Sequence, residues 1–444
     1  MKSYEKHQKR RETLAGKRIV GIDPGKEKHQ ACLIDGDGTQ LGKSFSFPVS
    51  HEGYDKKLWK RLDEILGAYG PDDLVFAVET ACGVWRTIVE YISRRGYTVV
   101  LESPLATYHL RSVLNNDYSK TDPKDSLLVA INARSGNCIP YRQYTPEINR
   151  LHRLGIAYSK LAKDKQKAVS RLRAAMEEVF PEYLEGVAVD TATSLHLLGK
   201  YVLPEHFQAL SATEEGEQIR LISRGNHGVK TLRRMQEHAE KSVGCRVHEQ
   251  EDVLRLVVSM WIAQVRLADQ GLKQISAAML ELVKDRRHFK ILTSIKGISD
   301  VSAALFMAEC RDLGSYAHYK QIEKLAGANL KLADSGKYVG TRRISGIGNK
   351  RLLRLIYLMT AQTVRYIPEV RLKFLKRQVH RKCYRKNVMA ASSQLLKLVM
   401  ALIKQDRTYA PRDLHGTELS KLETSYEATR SQERKRQAMT KNAA

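Results

Sequence analysis

The spacing of apolar and polar positions changes along this chain, and the change marks its parts. Lys17 to Asp23 (KRIVGID) reads as a buried strand and His29 to Ile34 as a second, followed by Asp35-Gly36-Asp37-Gly38, a strong hairpin signal. Leu41 to Phe47 alternates as a third strand. Gly53 to Tyr69 has helical spacing and stops at Gly70-Pro71. Leu74 to Glu79 (LVFAVE) is a fourth, apolar strand, and a helix from Val84 to Arg95, closed by Gly96, leads to a short strand from Thr98 to Leu101. Three strands, helix, strand, helix, strand is the element order of an RNase H-like α/β domain.

From about Ile148 to Lys290 the pattern becomes helical and charged, with Leu151, Leu154, Leu161 and Leu172 spaced for a long amphipathic helix that Phe180-Pro181 ends. Gly225 to Gly228 reads as a turn between later helices. Long charged helices of this kind serve as coiled-coil dimerisation or spacer elements. A third part begins near Leu292, where two helices flank Lys296-Gly297-Ile298-Ser299; the segment reads either as a helix-hairpin-helix whose turn offers amides to a phosphate or as any tight helix pair. A loop from Leu330 to Asn349 precedes a helix from Arg351 to Arg365. Beyond Tyr409 the chain is polar without apolar periodicity and reads as a disordered tail. The expected organisation is a basic leader (1–16), an RNase H/RuvC-like α/β domain (17–147), a helical coiled-coil region (148–290), an all-α C-terminal domain (291–410) and a tail (411–444).

Composition narrows the partners. Of 444 residues, 75 are Lys or Arg and 49 are Asp or Glu, a formal charge of +26, which favours a polyanion and above all nucleic acid. A membrane is the competing partner, but there is no run of about 18 apolar residues and no hydrophobic leader. The six cysteines lie far apart without a C-x-x-C and the 14 histidines show no zinc-ligand spacing. That suits a reducing cytoplasm and leaves any metal to carboxylates, hence to hard ions such as magnesium or manganese.

The carboxylates stand at suggestive places. Asp23 ends the first strand and Glu79 the fourth, and in an open sheet those strands can be neighbours where ligand sites collect. Ser119-Lys120-Thr121-Asp122-Pro123-Lys124-Asp125 adds two acids three residues apart at the start of a helix, able to point the same way. Four converging acids need cations, and two-metal phosphoryl chemistry needs such a set. The alternative stays open: Asp122 before Pro123 is a good N-cap and Asp125 suits the helix dipole.

These residues resemble the DEDD-type insertion-sequence transposases, bacterial recombinases guided by a structured bridge RNA. The resemblance runs from Val20 to about Arg365, through V-G-I-D at Asp23, A-V-E-T at Glu79, S-K-T-D-P-K-D at Asp122 and Asp125, then L-T-S-I-K-G-I, L-A-G-A-N-L-K-L-A-D-S-G and R-R-I-S-G-I-G-N-K-R-L-L-R. It implies that Asp23, Glu79, Asp122 and Asp125 bind divalent metal, Mg2+ or Mn2+, and that Ser335, before Gly336, attacks a DNA phosphodiester to form a phosphoserine. It implies too that serine and acids meet in a composite site across a homodimer or homotetramer, acting on donor and target DNA in the bacterial cytoplasm and at the nucleoid. A related branch of DNA invertases shares the acids.

From local sequence alone, Ser335-Gly336 is an ordinary loop turn. Its surroundings are basic: Lys331, Lys337, Arg342 and Arg343 can neutralise a phosphodiester, and Gly346 and Gly348 offer amides ahead of the helix that carries Lys350 and Arg351. Val370 to Asn387 carries Arg371, Lys376, Arg377, Arg381, Lys382 and Arg385 with Phe374 and Tyr384 between them, and no acid after Glu369, a mixture suited to RNA or DNA. With Lys120 and Lys296 these cations form the expected nucleic-acid contacts. Besides a metal-dependent serine recombinase, two readings stand: a nuclease or junction resolvase in which Ser335 is only a turn, and a non-catalytic nucleic-acid scaffold.

Overall fold

The computed structural model describes residues 2–113, 119–246, 248–331, 343–379, 383–411 and 418–442. The chain divides into two compact units, Met1–Gln143 and Tyr144–Ala444. The first is mixed α/β and the second mostly helical.

The first unit runs α1 (Lys2–Leu14), β1 (Arg18–Pro24), β2 (Lys28–Ile34), β3 (Phe45–Pro48), a π-helical turn Gly53–Lys57 continuing into α2 (Leu58–Leu66), β4 (Leu74–Glu79), α3 (Trp85–Arg94), β5 (Thr98–Glu102), α4 (Pro104–Leu110), a 3-10 turn Arg111–Val113, α5 (Asp122–Arg134) and β6 (Ile139–Pro140). The sheet order is β3-β2-β1-β4-β5-β6. β1 pairs antiparallel with β2 and parallel with β4, and β4 pairs parallel with β5. This topology is compatible with an RNase H-like domain.

Alternation along the strands divides the core in two. Ile19, Val75, Ala77 and Val100 share a cluster with Val129, Ala130 and Ala133 of α5. Val20, Ile22, Phe76 and Val78 share another with Leu58 and Leu62 of α2 and Ile88 and Ile92 of α3. Counting on by twos from Ile19, Ala77 and Val100 puts Asp23, Glu79 and Glu102 on the α5 face, at one end of three adjacent strands.

Several elements differ from expectation. The basic leader is largely helical, because Leu14 is buried and the Arg10 guanidinium donates to the carbonyl of Cys138 at 2.8 Å. The third strand starts at Phe45 and not Leu41, since Leu41 is spent on a turn that closes against Leu33. The helix expected over 53–69 is interrupted by its π turn, and the strand from Thr98 runs on to Glu102.

The second unit opens with α6 (Pro146–Val179), followed by the short helices α7 (Tyr183–Gly186), α8 (Ala192–Leu197), α9 (Pro204–Ala209), α10 (Ala212–Ile222) and α11 (Val229–Glu240), then α12 (Glu251–Val283). α6 and α12 pair inside one chain and run antiparallel: Lys165 bonds Asp269 at 2.6 Å, and a Cβ on Gly271 would lie 2.7 Å from Leu161. The outer face of α12 leaves Val253, Leu256, Met260 and Leu267 exposed. Then come α13 (Arg287–Thr293), α14 (Asp300–Cys310), α15 (Tyr319–Ala326), the two-residue strands β7 (Leu330–Lys331) and β8 (Arg343–Ile344), α16 (Lys350–Thr363), α17 (Pro368–Gln378), α18 (Tyr384–Lys404) and α19 (Glu418–Asn442).

Between α13 and α14, Gly297 adopts φ +102°, and a Cβ there would stand 3.1 Å from the backbone of Gln362 and Thr363, so the turn backs onto the end of α16. The tail is corrected: most of what was expected to be disordered is α19, held because Leu419 is buried and Leu422 and Tyr426 pack on the same core. Among the described residues no helix is long and apolar enough to cross a membrane.

Candidate metal site and nucleic-acid surface

Gly21, two residues before Asp23, allows the acids to meet. A Cβ at Gly21 would lie 2.2 Å from the Ser126 carbonyl oxygen and 2.6 Å from the Ala130 nitrogen, so α5 crosses β1 at backbone contact. The crossing brings the first turn of α5, with Asp122 and Asp125, over the end of β1. Thr121 and not Asp122 is the N-cap residue, and no side chain caps this helix. Asp122 is exposed, whereas Asp125 and Glu79 are buried.

Electrostatics register the convergence. The Asp23 carboxyl is pushed up to about 7, first by burial and then by the charges of Glu79, Asp125 and Asp122, and it shares a hydrogen bond with Glu79. A carboxyl raised this far beside three other acids is in a site short of positive charge. Part of the deficit is met internally: Arg111 donates from Nε and Nη2 to the two oxygens of Asp125, both at 2.8 Å.

The oxygen-only donor set and its surplus of negative charge fit a hard divalent cation. Among the described residues, no three His, Cys, Asp or Glu side chains stand close enough together to form a metal-ligating cluster.

Sequence reasoning missed Glu102. It faces Glu79 in register across β4 and β5 and is 1% exposed; one oxygen accepts from Asn132 at 2.5 Å and the other has no partner among the described residues. Burial pushes its carboxyl up to about 8, with Glu79 adding to the rise. A signal was present: LVFAVE and TVVLE are adjacent apolar strands that both end in glutamate.

The expected nucleic-acid contacts separate into kinds. Ser335, Lys337, Arg342, Arg381 and Lys382 lie outside the described residues. Lys120, Lys331, Arg343 and Arg385 are exposed, and exposed Lys296 sits over the Tyr366 ring at 4.9 Å. Lys331 and Arg343 are register partners across β7 and β8. Lys350 donates to the Gly346 carbonyl.

Arg351 is engaged within the fold: its guanidinium is forked onto buried Glu309, at 2.6 and 3.0 Å, which also accepts from Asn349 at 2.6 Å. A donor set so engaged serves the fold of the second unit. Arg371 pairs with Glu423, and Lys376 with Glu418 at 2.6 Å, both acids coming from α19. Arg377 is half-buried with no partner for its Nε among the described residues, and its charge, with that of Lys397, acts on Lys373.

Comparison with known proteins relates the chain to transposases of insertion elements. Residues 20–181 match a family model described as a transposase, of the IS110 DEDD type, and residues 289–374 match the transposase IS116/IS110/IS902 family, together more than half of the chain. An uncharacterized 42 kDa protein of insertion element IS900 from Mycobacterium paratuberculosis is 22% identical over 402 residues, 88% of this chain and 97% of the relative. An uncharacterized 44.8 kDa protein of insertion element IS116 from Streptomyces clavuligerus is 23% identical over 398 residues, 88% and 96% of the two chains. The chain accordingly belongs to the IS110-type DEDD transposases, enzymes that cut and rejoin DNA.

Proposed function

We propose that this transposase cuts and rejoins DNA through a covalent serine ester, with Asp23, Glu79, Asp122 and Asp125 holding divalent metal, magnesium or manganese, and Ser335 as the nucleophile. The observation that carries the acid half of the reading is the raised Asp23 carboxyl, hydrogen bonded to Glu79 in the field of Asp122 and Asp125. The serine half rests on the family resemblance of the S-G pair, and on Lys331 and Arg343 at the two edges of its loop.

Bound metal would lower the cost of charge on the attacking and leaving oxygens. The residues themselves have separate tasks. The Ser335 oxygen attacks phosphorus, its proton passes to a carboxylate, and the phosphorus–sugar oxygen bond breaks as the sugar oxygen takes up a proton. In rejoining, a sugar hydroxyl attacks the phosphoserine and the serine is released unchanged, so no water is consumed. Basic side chains neutralise the backbone: Lys120, Lys296, Lys331, Arg343, Arg377 and Arg385 among the described residues, with Lys337, Arg342, Arg381 and Lys382 beyond them.

A structured guide RNA and a homodimer or homotetramer belong to the same reading, in a bacterial cytoplasm with activity at the nucleoid. The exposed stripe Val253, Leu256, Met260 and Leu267, spaced three, four and seven along α12, supports self-association. A denaturing gel with labelled DNA tests the chemistry. A protein–DNA adduct is expected that disappears in Ser335→Ala; cleavage without an adduct would favour a metal-dependent nuclease. Inversion of a DNA segment in place of transposition would assign the chain to the invertase branch.

A further inference from the structure

The sequence identifies the acids of the first unit but not the group that neutralises them before any ion arrives. The structure supplies one. Arg111, on the 3-10 turn after α4, forks Asp125 with two bonds of 2.8 Å, and the two side chains are only 16% and 2% exposed. Asp125 is its direct partner, and the charges of Glu79 and Asp23 act on the same guanidinium.

A buried carboxylate needs a counter-charge to be stable, and a planar fork is the strongest one a side chain offers. The same fork uses both carboxylate oxygens in one plane. A divalent ion drawing on Asp125 needs one of those oxygens, and a second positive charge at that distance is repelled by the guanidinium. The two occupants therefore compete for the same carboxylate.

We propose that Arg111 is the resident counter-cation of the acid set, competing with divalent metal for Asp125 and released when metal binds. The released guanidinium then lies at the edge of a metal-loaded pocket, where the chemistry that matches its fork is a phosphodiester oxygen pair. The inference rests on the reading of Asp23, Glu79, Asp122 and Asp125 as metal ligands, and the test separates the two.

The full-length protein is titrated with Mn2+ by calorimetry, with no DNA present, as wild type, Arg111→Gln, Arg111→Lys and Asp23→Asn. Arg111→Gln is expected to bind Mn2+ about tenfold more tightly, the scale of a neighbouring unit charge acting on a carboxylate. Arg111→Lys, which keeps the charge and loses the fork, should fall between, and it serves as the readout if Arg111→Gln does not fold without metal. Equal or weaker binding in both Arg111 variants, with Asp23→Asn abolishing binding, overturns the role of Arg111 and leaves the acids as ligands. Absence of Mn2+ binding in the wild type, or binding indifferent to Asp23→Asn, overturns the ligand reading and this inference with it.

Discussion

Gly21 of β1 and Ser126 of α5 meet at their backbones, with room for hydrogen and nothing more: a Cβ would stand 2.2 Å from the Ser126 oxygen. Gly21→Ala must push α5, and with it Asp122 and Asp125, away from Asp23. The expected cost is about 3 kcal/mol, the upper end for overpacking, because the obstacle is backbone and cannot rotate aside. Urea unfolding followed by tryptophan fluorescence measures it, and strand cleavage should fall at temperatures where the variant is still folded.

Without metal, the acid set should make stability depend on pH with a definite sign. Asp23 rises on folding from an ordinary value near 3.8 to about 7, so the folded state binds a proton that the unfolded state releases. Its contribution is complete below about 4 and is lost as pH climbs through 7; Glu102, rising to about 8, extends the loss. His29 works the other way. Burial lowers it to about 4, so its contribution holds above 6.5 and fades as pH falls through 4. The clean measurement is the difference between variant and parent: in chelator, Asp23→Asn and Glu102→Gln should gain on the wild type between pH 5 and pH 9, by about 3 °C in melting temperature for each kcal/mol regained.

Replacing the acids should separate chemistry from affinity. Asp23→Ala, Glu79→Ala and Asp125→Ala are each expected to abolish strand cleavage while leaving DNA binding largely intact, because affinity comes from the basic surface. Cleavage and gel-shift assays on the same preparations decide it; full activity in any of the three removes that acid from the site.

Arg351 and Arg385 should answer differently to removal. Arg351→Ala leaves Glu309 buried without its fork, with Asn349 still donating, and is expected to cost about 1–3 kcal/mol of stability, the range for a buried acceptor that loses a donor. It should leave the salt dependence of DNA binding unchanged in the folded fraction. Arg385→Ala should hardly alter stability and should reduce the slope of log affinity against log salt by about one. A slope lowered by Arg351→Ala would return that residue to the nucleic-acid surface.

The C-terminal helix should behave as part of the second unit's core. Leu419 is 5% exposed, and Leu419→Ala is expected to cost about 2 kcal/mol, the low end for truncating a buried leucine. Thermal melting of the variant, and protease cleavage after Asp406 in wild type and variant, would show whether α19 stays docked.

What the sequence made legible followed from periodicity and strand ends. β4 was read to the residue because LVFAVE is apolar and bounded, and Asp23 and Glu79 were marked by their place at the ends of strands. Glu102 was missed because its strand was ended one residue early, at the polar letter that carries the interest. Arg111 gave no signal: which cation answers a buried acid is decided by three-dimensional proximity, and the two are 14 residues apart in sequence. α19 was read as disorder because its seam is only Leu419, Leu422 and Tyr426 within a highly charged run. The Arg351 fork was not legible because a linear sequence shows a basic helix start and hides Glu309, 42 positions away.

Gathering Asp23, Glu79 and Glu102 at one end of three neighbouring strands also bears on how copies of such a gene would age. Asp23 and Glu102 are held at an electrostatic loss to the empty fold, so a chance change of Asp23 to asparagine would silence the proposed reaction and leave a sturdier polypeptide behind. Defunct copies of the element would then go on yielding soluble, well-folded protein long after they had ceased to move.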